Sequence, residues 1–414
     1  MIRIVPSSQV GRILARRSTR LANAEKTVRP ILEDVRKRGD RAVLEYARRF
    51  DALERPSVHV PPEEAKAAAF RLPSSLIAAL WEVSRNIRTF AQLQLPEDKR
   101  TTPAPGLRIG QIVRPLDTVA VYIPSGRYPL PSTLLMTVLP AQVAGVPHIL
   151  VATPRAVDEV FGTAHLLKVS HLYQMGGAHA IAAFAYGTKT IPKADRIVGP
   201  GNLYVAAAKK LLAGEAGIDF IAGPTEIMIM ASEGNPAWLA ADMLAQAEHD
   251  VEASAILLTT SKRLAEAVSA EIEIQLRTLP TAKIAGEAIR RNSAIIILRA
   301  LAEGIEIVNR FAPEHLSIPD SSLLDGIRHA GSVFIGAHSP EAAGDYGAGP
   351  NHVLPTSGYA RVRGGLSATD FVKVISIQEL SPMGLRRLAP AIITLARAEG
   401  LEAHARSVEA RFRG

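Results

Sequence analysis

The chain has 414 residues, 47% hydrophobic and 21% charged, a globular composition long enough for two or more α/β lobes. It has no cysteine, which excludes disulfides, cysteine-based zinc sites, iron–sulfur clusters and any thiol nucleophile. The net charge of +8 invites a nucleic-acid reading, but Arg36, Lys37 and Arg38 stand beside Glu33, Asp34 and Asp40, as on a solvated helix face, and no basic strip is interleaved with aromatics.

The first twenty residues are basic but lack an apolar segment and a small-residue cleavage site, so they read as a short strand at 2–5 leading into a helix. Residues 24–97 read as helical, with apolar spacing at 28–38 and 42–50 around Gly39 and again at 76–90. The proline-bearing stretch 95–106 is the expected linker. From about residue 117 the period changes. Strands are expected at 118–123, 148–152, near Tyr173 and at 196–198, separated by helices at 132–144 and 178–186 and followed by one at 203–212. A second round has strands at 227–230, 255–259, 294–298 and 332–335, with helices at 237–248 and 263–276. Such alternation is the βαβ signature of a parallel sheet. The uncharged stretch 128–154 is broken by Pro129, Pro131, Pro140 and Pro147 and is no membrane span, so a soluble, intracellular protein is expected. Two helices interrupted at Gly400 close the chain. The expected organisation is a helical segment 1–106, Rossmann-like lobes at 107–225 and 226–365, and a C-terminal helical segment 366–414.

Three constellations carry candidate chemistry. The turn Gly199-Pro200-Gly201-Asn202 follows a strand and opens a helix, where backbone amides can meet an anion, and Gly176-Gly177-Ala178-His179 is similar. Neither is a G-x-G-x-x-G fingerprint, and short glycine turns commonly bind nothing; any dinucleotide is held in a non-standard way. In Gln246-Ala247-Glu248-His249 the outer two residues share a helix face and can address one ion, although a lone pair at this spacing is also a common helix-end accident. Asp345 and His404 could complete a sulfur-free nitrogen and oxygen set suited to zinc. The adjacent Glu314 and His315, after Pro313, are either two proton-transfer groups on a turn or a capping acid and a packing imidazole.

Together these segments resemble the histidinol dehydrogenase family, from about residue 25 to the C-terminus. The most specific stretches are the run from Tyr122 to Thr133, Gly199-Pro-Gly-Asn, Ala222-Gly-Pro-Thr-Glu, Leu244-Ala-Gln-Ala-Glu-His, Asn309-Arg-Phe-Ala-Pro-Glu-His-Leu, and the run from Ala343 to Thr356. The resemblance implies an α/β fold of two Rossmann-like lobes related to the aldehyde and histidinol dehydrogenases. It implies one zinc per subunit on Gln246, His249, Asp345 and His404, and Glu314 and His315 as the catalytic pair. Thr225 and Glu399 would contact substrate along with His315 and the zinc ligands, and Tyr122, His179 and Asn202 would contact NAD. The implied reaction takes L-histidinol through histidinal to L-histidine, reducing two NAD, as the last step of histidine biosynthesis in the cytoplasm. Members are homodimers in which one subunit's C-terminal segment completes the other's site. With no cysteine, the thiohemiacetal route of aldehyde dehydrogenases is closed.

Three positions depart from the family pattern: His179 stands where Gln is usual, Thr225 where Ser is usual, and Ser125 where Gly is common. A relative oxidising another small polar alcohol, such as a sulfonated diol, is the alternative enzyme. Glu399 and His404 together favour histidinol. A basic zinc-containing nucleic-acid-binding protein is the distant alternative, against which the scattered charge speaks; no nucleic-acid or membrane partner is expected.

Overall fold

The computed structural model describes residues 1–14, 21–125, 128–169, 171–221 and 223–413; Gly126, Arg127 and Ala222 of the family-like motifs lie outside them. Short aliphatic runs form two parallel sheets, as the strand–helix alternation predicts. Thr118–Tyr122, TVAVY, is buried almost throughout, the pattern of a parallel strand covered on both faces. It is the middle of a five-stranded sheet, with His148–Thr153 then His171–Gln174 on one side and Arg196–Val198 then Gly217–Ile218 on the other. Val119 and Val121 pack with the helices Pro62–Arg71, Ser74–Gln94, Pro131–Val143 and Asp158–Leu166. Ala120 and Tyr122 point the other way, onto Leu21–Arg38, Asp40–Phe50, Gly177–Tyr186 and Leu203–Leu212. The period-2 alternation of one strand thus separates two aliphatic cores.

The second sheet has six strands in the order Arg3–Pro6, Ala294–Ile297, Ser254–Thr259, Glu226–Met230, His315–Ile318 and Ser332–Ile335, all parallel. Chain order reverses at Glu226–Met230, as it does at Thr118–Tyr122 in the first sheet. The N-terminal strand expected at 2–5 is therefore an edge of the later sheet. The helix Pro62–Arg71 falls within the stretch 24–97 read as helical, and Pro62 at its first turn followed by Glu63 and Glu64 marks its start.

Leu95–Pro115 and Val372–Gly414 form a separate compact unit. The expected linker at 95–106 is instead part of a sheet: Lys99–Ala104 pairs antiparallel with Leu107–Pro115, which pairs over its whole length with Val372–Leu380. Leu107–Pro115 accordingly belongs to neither parallel sheet, and the segment after 366 is not all helix. The helices Pro382–Ala398 and Glu402–Glu409 follow, with Gly400 between them as expected.

One buried ion pair fixes the turn after Arg196–Val198. Lys209 Nζ donates to Asp219 Oδ1 at 2.7 Å and to the Gly199 carbonyl at 2.5 Å, while Asp219 Oδ2 accepts from Gly199 N at 2.8 Å. Both side chains are essentially buried. Gly199 has φ +114°, and a Cβ there would collide with the Tyr122 carbonyl oxygen, so only glycine fits. Removing one partner of such a pair strands the other charge in the core. Lys209→Met should therefore lower unfolding free energy by about 3–5 kcal/mol, read as a shifted urea midpoint; an unmoved midpoint would show that the pair contributes nothing.

Candidate active site

Helix Leu301–Phe311 ends at Ala312, a non-glycine residue in the left-handed region at φ +53°, whose N–H closes on the Val308 carbonyl at 2.7 Å. Pro313 cannot continue the helix, and the chain enters the strand His315–Ile318 directly. Glu314 and His315 thus sit at a helix-to-strand junction, as the sequence suggested. Gly331 N donates to the Pro313 carbonyl and Ser332 N to the Glu314 carbonyl, both at 2.9 Å. A Cβ on Gly331 would stand 2.6 Å from the Glu314 carbonyl oxygen, so the two chains run as close as they can. Register pairs His315 with Ile227, which brings Thr225 and Glu226 alongside Glu314. All four lie at the amino ends of their strands, the edge opposite to the usual ligand crevice of α/β sheets.

Glu314 Oε2 accepts from Thr225 Oγ1 at 2.5 Å and from Glu226 N at 2.9 Å. Thr225 in turn accepts from Gln246 Nε2 at 2.7 Å. Gln246 is fully buried in the last turn of helix Pro236–Ala247; His249 follows just past the helix end. The other end of the Gln246 amide is 2.6 Å from Glu341 Oε1 and 3.2 Å from His315 Nδ1. An amide oxygen facing a carboxylate this closely needs a positive centre between them. A proton on Glu341 supplies one, and a cation would supply another. A half-turn of the amide gives Glu341 an N–H instead, but then Glu314 and Gln246 compete for the single Thr225 hydroxyl proton.

Glu341 opens the short helix Glu341–Tyr346, with Asp345 one turn later on the same face. His249, Glu341 and Asp345 each bring a ligand atom within 4.8 Å of the others, and His249 Nε2 lies 3.7 Å from Asp345 Oδ2. A nitrogen, two carboxylates and a nearby amide oxygen, with no sulfur, form a donor set that fits zinc. His352 Nδ1 donates to the Asp345 carbonyl at 2.8 Å. The resemblance implied a common site for Gln246, His249, Asp345, Thr225, Glu314 and His315, and the structure sets them in one cluster; Glu341 was not singled out, and its signal was its four-residue spacing before Asp345.

Burial decides the electrostatics. Desolvation pushes the Glu314 carboxyl well above its ordinary range against the Thr225 and Glu226 hydrogen bonds, and pushes Glu341 up with help from the charges of Asp345 and Glu314. Burial lowers His315 to about 4, opposed by Asp345, so the ring is neutral. Its Nδ1 faces the Glu341 carboxylate at 3.3 Å and the Glu226 carbonyl at 3.4 Å, which places the proton there. Nε2 is buried with no hydrogen-bond partner among the described residues; Asp345 Oδ1, 3.8 Å away, is beyond reach. A buried neutral imidazole with a free lone pair is a proton acceptor awaiting an O–H.

Tyr122, His179 and Asn202 lie at the carboxyl edge of the five-stranded sheet. Tyr122 and His179 are buried and Asn202 is exposed. Several backbone amides at the two glycine turns are already used: Gly199 N meets Asp219, Tyr204 N and Val205 N meet the Asn202 side chain, Gly176 N meets Asp51, and Gly177 N meets the Tyr122 hydroxyl. Glu399 and His404 belong to the other compact unit, where both are exposed. No described helix is long and apolar enough to cross a membrane.

Comparison with known proteins agrees with this geometry. The histidinol dehydrogenase family model matches residues 14–412. A histidinol dehydrogenase of Bacillus thuringiensis subsp. konkukian (strain 97-27) is 46% identical over 396 residues, covering 94% of this chain and 92% of the relative. The crystal structure of histidinol dehydrogenase from Elizabethkingia anophelis superposes with a TM-score of 0.94 at 35% identity, covering 100% of this chain and 98% of that one. An acetylating aldehyde dehydrogenase from Geobacillus thermoglucosidasius shares the fold alone, at TM-score 0.50 and 12% identity over 86% of this chain and 97% of its own. With the match running almost end to end in both sequence and structure, the chain belongs to the histidinol dehydrogenase family and is an oxidoreductase.

Proposed function

We propose that the protein oxidises L-histidinol to L-histidine, consuming one water and two NAD per substrate, as the last step of histidine biosynthesis in the cytoplasm. The observation that carries this reading is the unpartnered Nε2 of buried His315, set beside Glu314 and within one cluster with Asp345, Gln246 and His249. Gln246, His249 and Asp345, with His404 of the partner subunit, would hold one zinc per subunit; Tyr122, His179 and Asn202 of the lobe built on 118–218 would meet NAD. Bound zinc supplies a template for the substrate's amine and imidazole nitrogens, and bound NAD supplies the electron acceptor.

His315 Nε2 takes the proton of the alcohol, and the Nδ1–H contact with the Glu226 carbonyl and Glu341 holds the ring in that tautomer and steadies the imidazolium that forms. Glu314, whose burial strengthens it as a base, draws a proton from the water that adds to histidinal. Thr225 holds the Glu314 carboxyl in place and reaches the substrate with the same hydroxyl, so Ser-to-Thr at this position preserves the hydrogen bond. Gln246 belongs to the buried floor and His249 to its half-exposed rim, a gradient that lets a small polar substrate enter and shed water. Glu399 of the partner subunit would contact the substrate beside the partner's His404, making the working unit a homodimer.

Two NADH should form per L-histidinol, and activity should fall with chelation and return with zinc; absence of histidinol turnover by the zinc-loaded enzyme would reject the substrate. Glu314→Gln should slow histidinol oxidation by roughly 10²–10⁴-fold in steady-state assays while leaving the fold intact; a loss below about tenfold would remove it from proton transfer. Two inactive variants, His315→Asn and His404→Ala, should regain about a quarter of wild-type activity when co-refolded, because one site of each mixed dimer is then intact. No recovery would put His404 at its own subunit's site.

A further inference from the structure

His179 is a buried polar residue of the first lobe that uses one of its two ring nitrogens among the described residues. Its Nε2 is 2.8 Å from Asp51 Oδ2, and its side chain is 2% exposed. The same Asp51 oxygen accepts Gly176 N at 2.8 Å. An ionised carboxylate only accepts, so Nε2 carries the hydrogen and, in the neutral ring, Nδ1 is left with a lone pair. No group among the described residues meets Nδ1. The ring cannot turn freely to find one, because it packs against Tyr46 and Phe50, with centroids 5.9 and 6.3 Å away.

Asp51 also decides what that lone pair can meet. It lies just past helix Asp40–Phe50, and its carboxylate accepts the amide of Gly176, the N-cap of the ten-residue helix Gly177–Tyr186. Its negative charge at that helix end disfavours a phosphate beside it. A ligand group approaching Nδ1 must therefore be a hydrogen-bond donor, a sugar hydroxyl or an amide N–H. Tyr122 completes the pattern: its hydroxyl accepts Gly177 N at 3.2 Å and keeps its own proton to give. Donor and acceptor thus stand on either side of one turn, an arrangement that suits a sugar or carboxamide edge.

We propose that Asp51 is a positioning residue for the dinucleotide, holding His179 so that Nδ1 accepts a hydrogen bond from a hydroxyl or amide N–H of NAD. This rests on the NAD reading given above. A glutamine at 179 could accept the same bond through its carbonyl oxygen and would need no carboxylate to choose its tautomer. Dissociation constants for NADH, read by fluorescence titration without substrate, test the assignment. Asp51→Ala and His179→Leu should each weaken NADH roughly three- to tenfold, the worth of one hydrogen bond. His179→Gln should bind NADH as the parent does, and adding it to Asp51→Ala should restore affinity. A purely structural role for Asp51 predicts no such rescue. An unchanged dissociation constant in His179→Leu, or an Asp51→Ala defect that His179→Gln does not relieve, would overturn the proposal while leaving NAD use intact. Failure of the unsubstituted protein to bind NADH would overturn the NAD reading and this inference together.

Discussion

The structure turns on an acid and an imidazole kept out of water at the start of a parallel strand. Burying Glu314, His315 and Glu341 together is costly, and the fold offsets it by exchanging hydrogen bonds among them, Thr225, Gln246 and the Glu226 backbone. The parallel register makes this possible. Because His315 pairs with Ile227, residues 88 and 89 positions apart become lateral neighbours, and the helices bearing Gln246 and Glu341 need only close over them. Desolvation then sets the proton chemistry, leaving a neutral ring and a carboxyl whose burial makes it a stronger base than a solvated one.

Much of this was legible along the chain, for unequal reasons. The strand–helix alternation announced both parallel sheets because parallel strands carry a dense aliphatic signal. Glu314 and His315 were ambiguous as two residues and became meaningful only with the other motifs. Glu341 was overlooked because an acid at a helix start ordinarily reads as a cap; here it is buried. The hairpin at 99–115 was hidden for another reason: KRTTPA and LRIGQIVRP mix charged and apolar residues without clean alternation, and the long partner strand Val372–Leu380 lies far along the chain.

The two glycine turns of the first lobe differ from the phosphate cradles that such turns often make. Five of the amides at these turns and the helix starts that follow them are taken by Asp51, Tyr122, Asp219 and Asn202, two of them carboxylates, so part of each turn is closed by the protein's own side chains.

The placement of the first strand sets the order in which the protein can be built. Arg3–Pro6 is made well before the other strands of that sheet, yet its partner Ala294–Ile297 is the fourth of the six in chain order. The five-stranded sheet, drawn wholly from 118–218, can close while synthesis continues; the six-stranded sheet cannot gain its outer edge until the N-terminal segment is retrieved across the finished lobe. During that interval Ala294–Ile297 presents an open, apolar edge. Dilution, chaperones and the speed of a single docking event, rather than the stability of the final fold, then govern how much of the newly made chain escapes aggregation.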